Sequence, residues 1–399
     1  MYEPSSLIIE RYADVLINFA LNSGEGIKRG EVIQCVVPDV AKSFALALQN
    51  TILKSGGHPL IKIVPTGFEK DYYTYADDDE LKFFPKQYYK ARVKLIDHQV
   101  GIIADVDPEE LKDVDPKKIT TARDARDAYR QWLFQKEHAG KLTWTLALWG
   151  VPAKADEVGL TLEEYWQQII QACFLDKNDP IQEWKKLHAM QHDIKKKLNS
   201  MEIDWLEVKG PDVDLKVQLG ANRIWNAGSG RNIPSFEFFT SPDWRGTQGW
   251  IRFNQPLYRY GNVLRNISLR FERGLIVDAT AEVGQPLLHQ LLKSANANKI
   301  GEYSLTDKRM SRITHPMAET LFDENIGGPF GNTHLAIGMS YKDCYRGDSS
   351  KLTKKDWKNF GYNDSPEHTD IISTTDRTVT ATLTNGLKKI IYKDGMFVI

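Results

Sequence analysis

The segments LFDEN, residues 321–325, and GNTHLAIGMSY, residues 331–341, bring Glu324, His334 and Tyr341 close together on a glycine-rich frame. A carboxylate, an imidazole and a phenol are groups that bind metal ions or transfer protons. The rest of the chain is interpreted as a platform for this stretch, so further candidate residues are expected on both sides of it.

Two glutamates precede the stretch. Glu237 lies in NIPSFEFFTSP, an aromatic and apolar run at residues 232–242 that two prolines bound. On an alternating strand Glu237 would face solvent, whereas a buried Glu237 would need a cation, a proton or another partner. Glu302 follows Gly301 in NKIGE, in a turn predicted after a helix that starts near Gln285. Taken alone, this context predicts a surface carboxylate.

His368 and Asp370 follow the stretch, in the segment EHTD. Alternate residues of an extended segment point to the same side, so both side chains can face one cavity. The pooled acids and histidines form the ligand stock of a two-metal hydrolytic site: Glu237, Glu302, Glu324, His334, His368 and Asp370. Such oxygen and nitrogen ligands favour catalytic Zn, Co or Mn over a structural zinc, which usually uses cysteine. Spacing alone does not show that these residues converge.

Composition narrows the class of protein. The chain has 399 residues, so two domains are expected. Lys and Arg number 52 against 53 Asp and Glu, which leaves no basic excess for nucleic-acid binding. No signal-peptide pattern is found, and no apolar run reaches the ~18–20 residues that span a membrane. We therefore expect a cytoplasmic protein without a membrane or nucleic-acid partner.

The first half alternates between strand and helix patterns. Short apolar runs predict strands at residues 31–37, 59–64, 100–106 and 143–150, and helical patterns separate them. Thr161 and Glu164 form a predicted capping box at the start of a helix, and another helix is predicted from Asp179 to Met201. These patterns predict an α/β domain with a mostly parallel sheet.

The second half changes to a strand-rich pattern. Residues 205–208 and 214–219 alternate around a turn at residues 209–212, which predicts a hairpin. Further strands are predicted at residues 250–253, 267–271 and 275–279. The expected fold is therefore α/β, with an N-terminal parallel-sheet domain at residues 1–205 and a C-terminal β-rich α+β catalytic domain at residues 206–399.

Other residue patterns are expected to be structural. His188 and His192 have the spacing of two ligands on one helical face, but Ala189 replaces the glutamate of HExxH and lysines flank the pair. A solvated helix face is the prediction. Asp105 and Asp107 are expected to serve a turn. The three cysteines, Cys35, Cys173 and Cys344, are far apart and predict free thiols, buried or partly buried.

Five segments resemble, in the same order, the signature segments of the thermophilic metalloaminopeptidase family of the aminopeptidase T and aminopeptidase S type. They are NIPSFEFFTSP, NKIGE, LFDEN, THLAIGMSY and EHTD. The resemblance implies that the six acids and histidines named above bind two divalent metal ions and that Tyr341 is catalytic. It also implies peptide substrates with a free N-terminus. A homodimer is implied as well, in which the N-terminal domain limits access to the site.

Within this resemblance Glu302 is expected to be the carboxylate nearest the attacking water, and Tyr341 to donate a hydrogen bond to the oxyanion. Packing is the alternative role for Tyr341. Two features depart from the family pattern. The interval between Glu324 and His334 is longer, and Phe236 stands where glycine is more usual. Two alternatives stay open: a metallohydrolase of a non-peptide substrate, and a metal-free scaffold that has lost activity.

Overall fold

The computed structural model describes residues 2–259 and 261–399. The chain divides into two compact units. Unit 1 contains Met1–Lys185 and Ser229–Ile233, and unit 2 contains Lys186–Gly228 and Pro234–Ile399. The domain boundary predicted after residue 205 refers to domains that fold separately, which compact units do not test, so it stays a prediction. No helix within the described ranges is both long and apolar enough to cross a bilayer.

The strands are short and distributed along the whole chain. They are β1 (Val32–Pro38), β2 (His58–Val64), β3 (His98–Ile103), β4 (Thr143–Leu148), β5 (Ile203–Gly210), β6 (Val213–Gln218), β7 (Asn232–Ile233), β8 (Glu237–Thr240), β9 (Gln248–Phe253), β10 (Leu257–Arg259), β11 (Asn262–Leu264), β12 (Ile267–Glu272), β13 (Leu275–Thr280), β14 (Ile300–Thr306), β15 (Asn332–Gly338), β16 (His368–Ser373), β17 (Thr378–Leu383), β18 (Lys388–Lys393) and β19 (Met396–Phe397).

The α-helices fall mostly in the first half of the chain. They are α1 (Ser6–Val15), α2 (Lys42–Lys54), α3 (Glu69–Tyr75), α4 (Asp78–Lys82), α5 (Lys86–Leu95), α6 (Pro116–Ala125), α7 (Asp127–His138), α8 (Pro152–Glu157), α9 (Leu162–Ala172), α10 (Pro180–Ser200), α11 (Gln285–Leu292), α12 (Thr320–Asp323) and α13 (Lys354–Asn359).

A five-stranded sheet in the order β2-β1-β3-β4-β7 forms the centre of unit 1, and all its neighbouring strands are parallel. Aromatic rings build the adjoining core, since Phe44 stacks on Tyr12 at 5.0 Å and on Trp149 at 5.5 Å between ring centroids. The predicted capping box is confirmed, because Thr161 Oγ1 accepts from the Glu164 amide and Glu164 accepts from the Thr161 amide.

The helical segment that begins at Ser6 is regular only in part. It is α-helical to Val15, continues as a π-helix over Leu16–Ala20 and ends in a 3-10 segment over Leu21–Gly24. Asn22 and Ser23 adopt φ values of 53° and 56° there, so the regular helix is broken before Gly24.

An eight-stranded sheet and a four-stranded sheet form unit 2, in the orders β13-β12-β9-β6-β5-β17-β18-β19 and β16-β15-β14-β8. The predicted hairpin is confirmed, since β5 and β6 pair up to Gly210 and Val213 around a two-residue turn. A second hairpin joins β12 and β13, where Gly274 has a φ of 81°. The expected fold class, a parallel α/β part and a β-rich α+β part, is confirmed.

The strand β14 was not expected from the sequence, which predicted a turn in this place. All seven of its residues are buried, as are all seven of β15, its neighbour in the sheet. The polar residues of IGEYSLT conceal this burial from a hydropathy pattern. This central pair of strands carries the floor of the site described below.

Candidate metal centre

One face of the four-stranded sheet collects most of the candidate ligands. In the antiparallel register Glu302 lies opposite Ala336, and Ala336 lies opposite Asp370. Gly338 lies opposite His368, and Thr306 lies opposite Glu237. Directly paired residues share a face, and each strand alternates its faces every two residues. Five ligand candidates therefore project to the same side: Glu237 from β8, Glu302 from β14, His334 from β15, and His368 and Asp370 from β16.

Small residues separate these side chains and leave room between them. Ser304, Ala336 and Gly338 occupy the intervening positions on the same face. Gly338 has a φ of 101°, and a Cβ there would lie 2.1 Å from the carbonyl oxygen of Glu367. Any side chain at this position would push the ends of β15 and β16 apart, next to His368.

The imidazole of His334 is at the centre of the cluster. Its Nε2 lies 3.0 Å from Glu302 Oε1, 3.3 Å from Glu237 Oε2 and 3.9 Å from Asp370 Oδ1. Nε2 of His368 lies 3.5 Å from Asp370 Oδ1 and 3.9 Å from Glu302 Oε2. The structure thus brings these five side chains together. The local sequence context of Glu302, taken alone, predicted a surface carboxylate, and that prediction is wrong.

Glu324 reaches the same cluster from outside the sheet. It follows α12 and is buried, and its carboxyl group interacts electrostatically with Glu237, Asp370, His334 and Glu302. Its Oε1 accepts a hydrogen bond from the amide of Asn325 at 3.2 Å. The longer interval before His334 therefore leaves Glu324 beside the other acids.

Each histidine is oriented by a main-chain carbonyl. Nδ1 of His334 donates to the carbonyl of Glu324 at 3.2 Å, and Nδ1 of His368 donates to that of Met339 at 2.9 Å. A carbonyl only accepts, so Nδ1 of each ring carries a proton, and Nε2 faces the carboxylates, where it holds a second proton or would bind a cation in its place. This is the arrangement of metal-binding histidines, in which a second hydrogen bond fixes the tautomer.

The buried charges raise most of the pKa values of the cluster. Burial, with the negative charges of Glu237 and Asp370, raises the pKa of Glu302 to about 7 against the opposing hydrogen bond of His334. Burial also raises the pKa of Glu324 well above its usual range. Burial lowers the pKa of His368, but Asp370 and Glu302 outweigh it and bring the value to about 9. The metal-free cluster therefore binds protons that offset its acids.

Asp370 shows the opposite shift. Burial alone would raise the pKa of its carboxyl group, but the neighbouring His368 and His334 lower the value to about 2. Asp370 thus stays ionised beside imidazoles that hold protons. Such a set of buried acids and oriented imidazoles fits a divalent cation, which would replace the protons as the compensating positive charge. Ligand atoms of Glu237, Glu302 and His334 already lie within 4.8 Å of one another.

Tyr341 lies at the more exposed end of the cluster. Its ring centroid is 4.7 Å from that of His368, and the residue is 38% exposed. Burial raises the pKa of Tyr341 above its usual value, and the nearby acids Glu302 and Asp370 add to this shift. The phenol therefore keeps its proton and is available as a hydrogen-bond donor toward the site.

Two asparagines that support the site were missed by the sequence argument. Asn325 donates to Glu324 and accepts from the amide of Phe236 at 2.6 Å, while Asn332 donates to the carbonyls of Glu324 and Ile326. Asn325 is the last residue of LFDEN and Asn332 directly precedes THLAIGMSY, and these positions were the available signal. Phe236 is fully buried, so it does not line an open pocket.

The histidine pair on α10 and the three cysteines were expected to be structural rather than part of the site. Nε2 of His188, which is half-buried, lies 2.9 Å from the carbonyl oxygen of Gly228, whereas His192 is exposed. The prediction of a solvated helix face is wrong for His188, because its imidazole hydrogen-bonds a main-chain carbonyl. The three cysteines are buried free thiols, as predicted.

The sequence is similar to known proteins along nearly the whole chain. A sequence model of the family described as thermophilic metalloprotease (M29) matches residues 6–397. Aminopeptidase AmpS of Bacillus subtilis (strain 168) is 26% identical over 405 residues, which cover 94% of this chain and 96% of the relative. Aminopeptidase T of Thermus thermophilus is 26% identical over 413 residues, or 98% and 99% of the two chains.

A solved structure shares the fold. Wild-type AmpT from Thermus thermophilus superposes with a TM-score of 0.82 at 24% identity, and the match covers 98% of this chain and 99% of that one.

Proposed function

This chain belongs to the thermophilic metalloprotease (M29) family, and from that premise we propose that it is a metal-dependent aminopeptidase that removes N-terminal residues from peptides. Relatives that match it nearly end to end are named aminopeptidases. The observation that carries the proposal is the convergence of Glu237, Glu302 and His334, whose ligand atoms lie within 4.8 Å of one another in a buried site.

We propose that the site holds two divalent cations, Zn, Co or Mn. The two oxygens of Glu302 support this number, because Oε1 faces Nε2 of His334 and Oε2 faces Nε2 of His368. Glu302, placed between the two imidazoles, would help to hold both cations. Glu237 and Glu324 would complete the His334 side, and Asp370 would serve the His368 side, since its Oδ1 is 3.5 Å from that imidazole.

When bound, the cations would polarise the scissile carbonyl and lower the pKa of the attacking water. Glu302 would accept the proton of that water, since its buried carboxylate lies between the two imidazoles with one oxygen toward each. Tyr341 would donate a hydrogen bond to the oxygen that becomes negative, because its raised pKa keeps the phenol protonated. The acids of the cluster also provide partners for the positively charged N-terminus of the peptide.

The proposal is tested by replacing Glu302 with glutamine. Glu302→Gln keeps the shape of the side chain but removes its charge, and we expect turnover of aminoacyl-amides to fall roughly 10²–10⁴-fold or more, as for loss of a general base. Glu272→Gln is the matched control, because Glu272 is an exposed surface residue of the same unit. Near-normal turnover by Glu302→Gln would contradict the assignment, provided that circular dichroism shows an unchanged fold.

Metal analysis and a substrate panel separate the alternatives. About two divalent ions per chain and chelator-sensitive release of N-terminal residues are expected. A protein without bound metal would instead be the inactive scaffold. A metal-loaded protein that leaves every aminoacyl-amide and peptide intact would be a hydrolase of another substrate.

We further propose a cytoplasmic homodimer in which residues 1–205 help to build the dimer. The resemblance to aminopeptidases T and S supports this assembly. Light scattering coupled to size-exclusion chromatography measures the mass directly, and a mass of 45.5 kDa, that of one chain, would contradict the dimer.

A further inference from the structure

The exposure of the site residues defines the side from which a substrate enters. His334 is 0% exposed and Glu302 is 4% exposed, whereas Glu237 and His368 reach 12% and 16%. Tyr341, in ring contact with His368, is 38% exposed. The buried end is therefore the floor of the site, and the end marked by Tyr341 is its mouth.

Aromatic rings form a continuous wall at this mouth. The ring of Phe239 meets that of Tyr341 edge-on at 5.9 Å between centroids, and Tyr341 packs on His368 at 4.7 Å. Edge-to-face contacts of this kind hold aromatic rings in fixed positions. The wall of Phe239, Tyr341 and His368 thus runs from an apolar residue to the cluster of acids and imidazoles.

Phe239 lies on the same face of the sheet as the candidate ligands. It comes two residues after Glu237 on β8 and lies opposite Ser304, which in turn lies opposite His334. Its side chain is half-buried, while Phe238, on the other face, is fully buried in the core. The proposed chemistry gives Phe239 no task, so its partial exposure beside the site calls for a different role.

The backbone of Phe239 is fixed on both edges. Its amide donates to the carbonyl of Asn226 at 3.0 Å, and its carbonyl accepts from the Asn226 amide at 2.8 Å. The other edge pairs with β14 in the sheet. Phe239 therefore presents its ring from a rigid position, which is what a specificity surface requires.

We infer that Phe239 and Tyr341 form the apolar wall of the subsite for the side chain of the substrate's N-terminal residue, and that the protein prefers large apolar N-terminal residues. This inference rests on the proposed aminopeptidase function. In such a reaction the free amine and the scissile carbonyl both face the acids and imidazoles. The first side chain branches from the carbon between these two groups, so it lies beside whatever borders the cluster.

The test compares Phe239→Ala and Phe239→Leu with the wild type on leucyl, phenylalanyl and alanyl p-nitroanilides. A lost apolar contact changes discrimination by about 10–200-fold, so we expect the leucyl over alanyl ratio of kcat/KM to fall roughly tenfold or more in Phe239→Ala. Phe239→Leu, which restores an apolar surface, should recover much of that ratio. Trp250→Ala, a half-buried aromatic residue of β9, is the control and should leave the ratio unchanged.

A second measurement is independent of turnover. Calorimetry of the metal-loaded protein should show that free leucine binds more tightly than alanine, and that Phe239→Ala reduces this difference. If Phe239→Ala lowers kcat equally for every substrate, Phe239 only positions Tyr341 and the inference is overturned. An unchanged ratio in both measurements overturns it as well. A wild type without hydrolysis that still binds leucine better than alanine would refute the proposed function and keep the apolar subsite.

Discussion

Asn332 connects the glutamate that lies outside the sheet with the histidine at the centre of the site. Its amide nitrogen donates to the carbonyls of Glu324 at 2.9 Å and Ile326 at 2.8 Å. The Glu324 carbonyl also accepts from Nδ1 of His334. One side chain therefore holds, through main-chain carbonyls, the segment that orients the imidazole.

Replacing Asn332 with alanine is expected to weaken metal binding by about 10–100-fold, which is the usual effect of losing a residue that orients a ligand. Competition with a chromogenic chelator measures this affinity, and the absorption spectrum of the cobalt-loaded protein reports the altered geometry. Asn385→Ala, an exposed turn residue, is the control. An unchanged affinity together with an unchanged cobalt spectrum would show that Asn332 only stabilises the loop.

Tyr341 has a proposed chemical role that a phenylalanine cannot fill. Tyr341→Phe keeps the ring contacts with Phe239 and His368 but removes the hydroxyl. Loss of one oxyanion donor should lower kcat by about 10²–10³-fold, with a much smaller change in KM. Tyr345→Phe provides the comparison, because the Tyr345 ring packs on Trp357 and Phe360. An unchanged kcat for Tyr341→Phe would return Tyr341 to a packing role.

At the scale of secondary structure, the sequence predicts those parts of the site that depend on strand periodicity. His368 and Asp370 alternate on β16, and their common face follows from that spacing alone. Glu302 was not predictable in this way. It lies on β14, whose polar residues are buried between β15 and β8, and such burial depends on neighbours from distant parts of the sequence.

Glu324 marks a different limit of prediction from sequence. Its place beside the cluster depends on hydrogen bonds from Asn325 and Asn332 within an irregular segment. Irregular backbone has no periodicity from which side-chain direction can be read. The parallel sheet of unit 1, in contrast, is predictable because β1, β3 and β4 are short apolar runs separated by helical patterns.

A partly buried hydrogen-bond network joins the starts of three parallel strands. Glu31, just before β1, accepts from the amide of Lys28 at 2.5 Å and from Nε2 of His98 at 2.8 Å. Nδ1 of His98 then accepts from Thr143, whose Oγ1 accepts from the amide of Asn22. The carboxylate of Glu31 thus fixes the relative positions of the strand starts.

This network predicts a stability effect that depends on pH. Burial raises the pKa of Glu31, but the Lys28 amide and His98 outweigh it, so the folded pKa is lowered. Its contribution is therefore present above the unfolded pKa of about 4.3 and is lost as the pH falls through the lower folded value. Glu31→Gln should cost about 1–3 kcal/mol at pH 7, as for hydrogen bonds to a charged group.

Urea unfolding of both proteins across the pH range checks the sign. The difference in the free energy of unfolding between wild type and Glu31→Gln should shrink as the pH falls below about 4, where the folded carboxylate takes up its proton. A difference that stays constant, or that grows toward acid pH, would contradict the role of the ionised carboxylate.

At the scale of the whole molecule, the two compact units differ in what stabilises them. Unit 1 has a parallel sheet and an aromatic core around Phe44 and Trp149. Unit 2 places Glu237, Glu302, Glu324 and Asp370 close together under little or no solvent, and their mutual repulsion opposes folding. A bound cation would remove this repulsion, so unit 2 should depend on metal and unit 1 should not.

Removing the metal from the full chain should therefore destabilise one sheet selectively. A cation bound only by the folded state adds about 2.7 kcal/mol when its free concentration is about 100 times Kd. Chelation should lower the Tm, and hydrogen exchange should accelerate in β8, β14, β15 and β16 while β1, β3 and β4 keep their protection. Readding zinc, cobalt or manganese should reverse both effects.

His334→Ala, which removes the central imidazole, should make the exchange pattern insensitive to chelator. Equal acceleration in both sheets would mean that the cation stabilises the whole chain rather than this site, and no change would mean that the cluster folds without it.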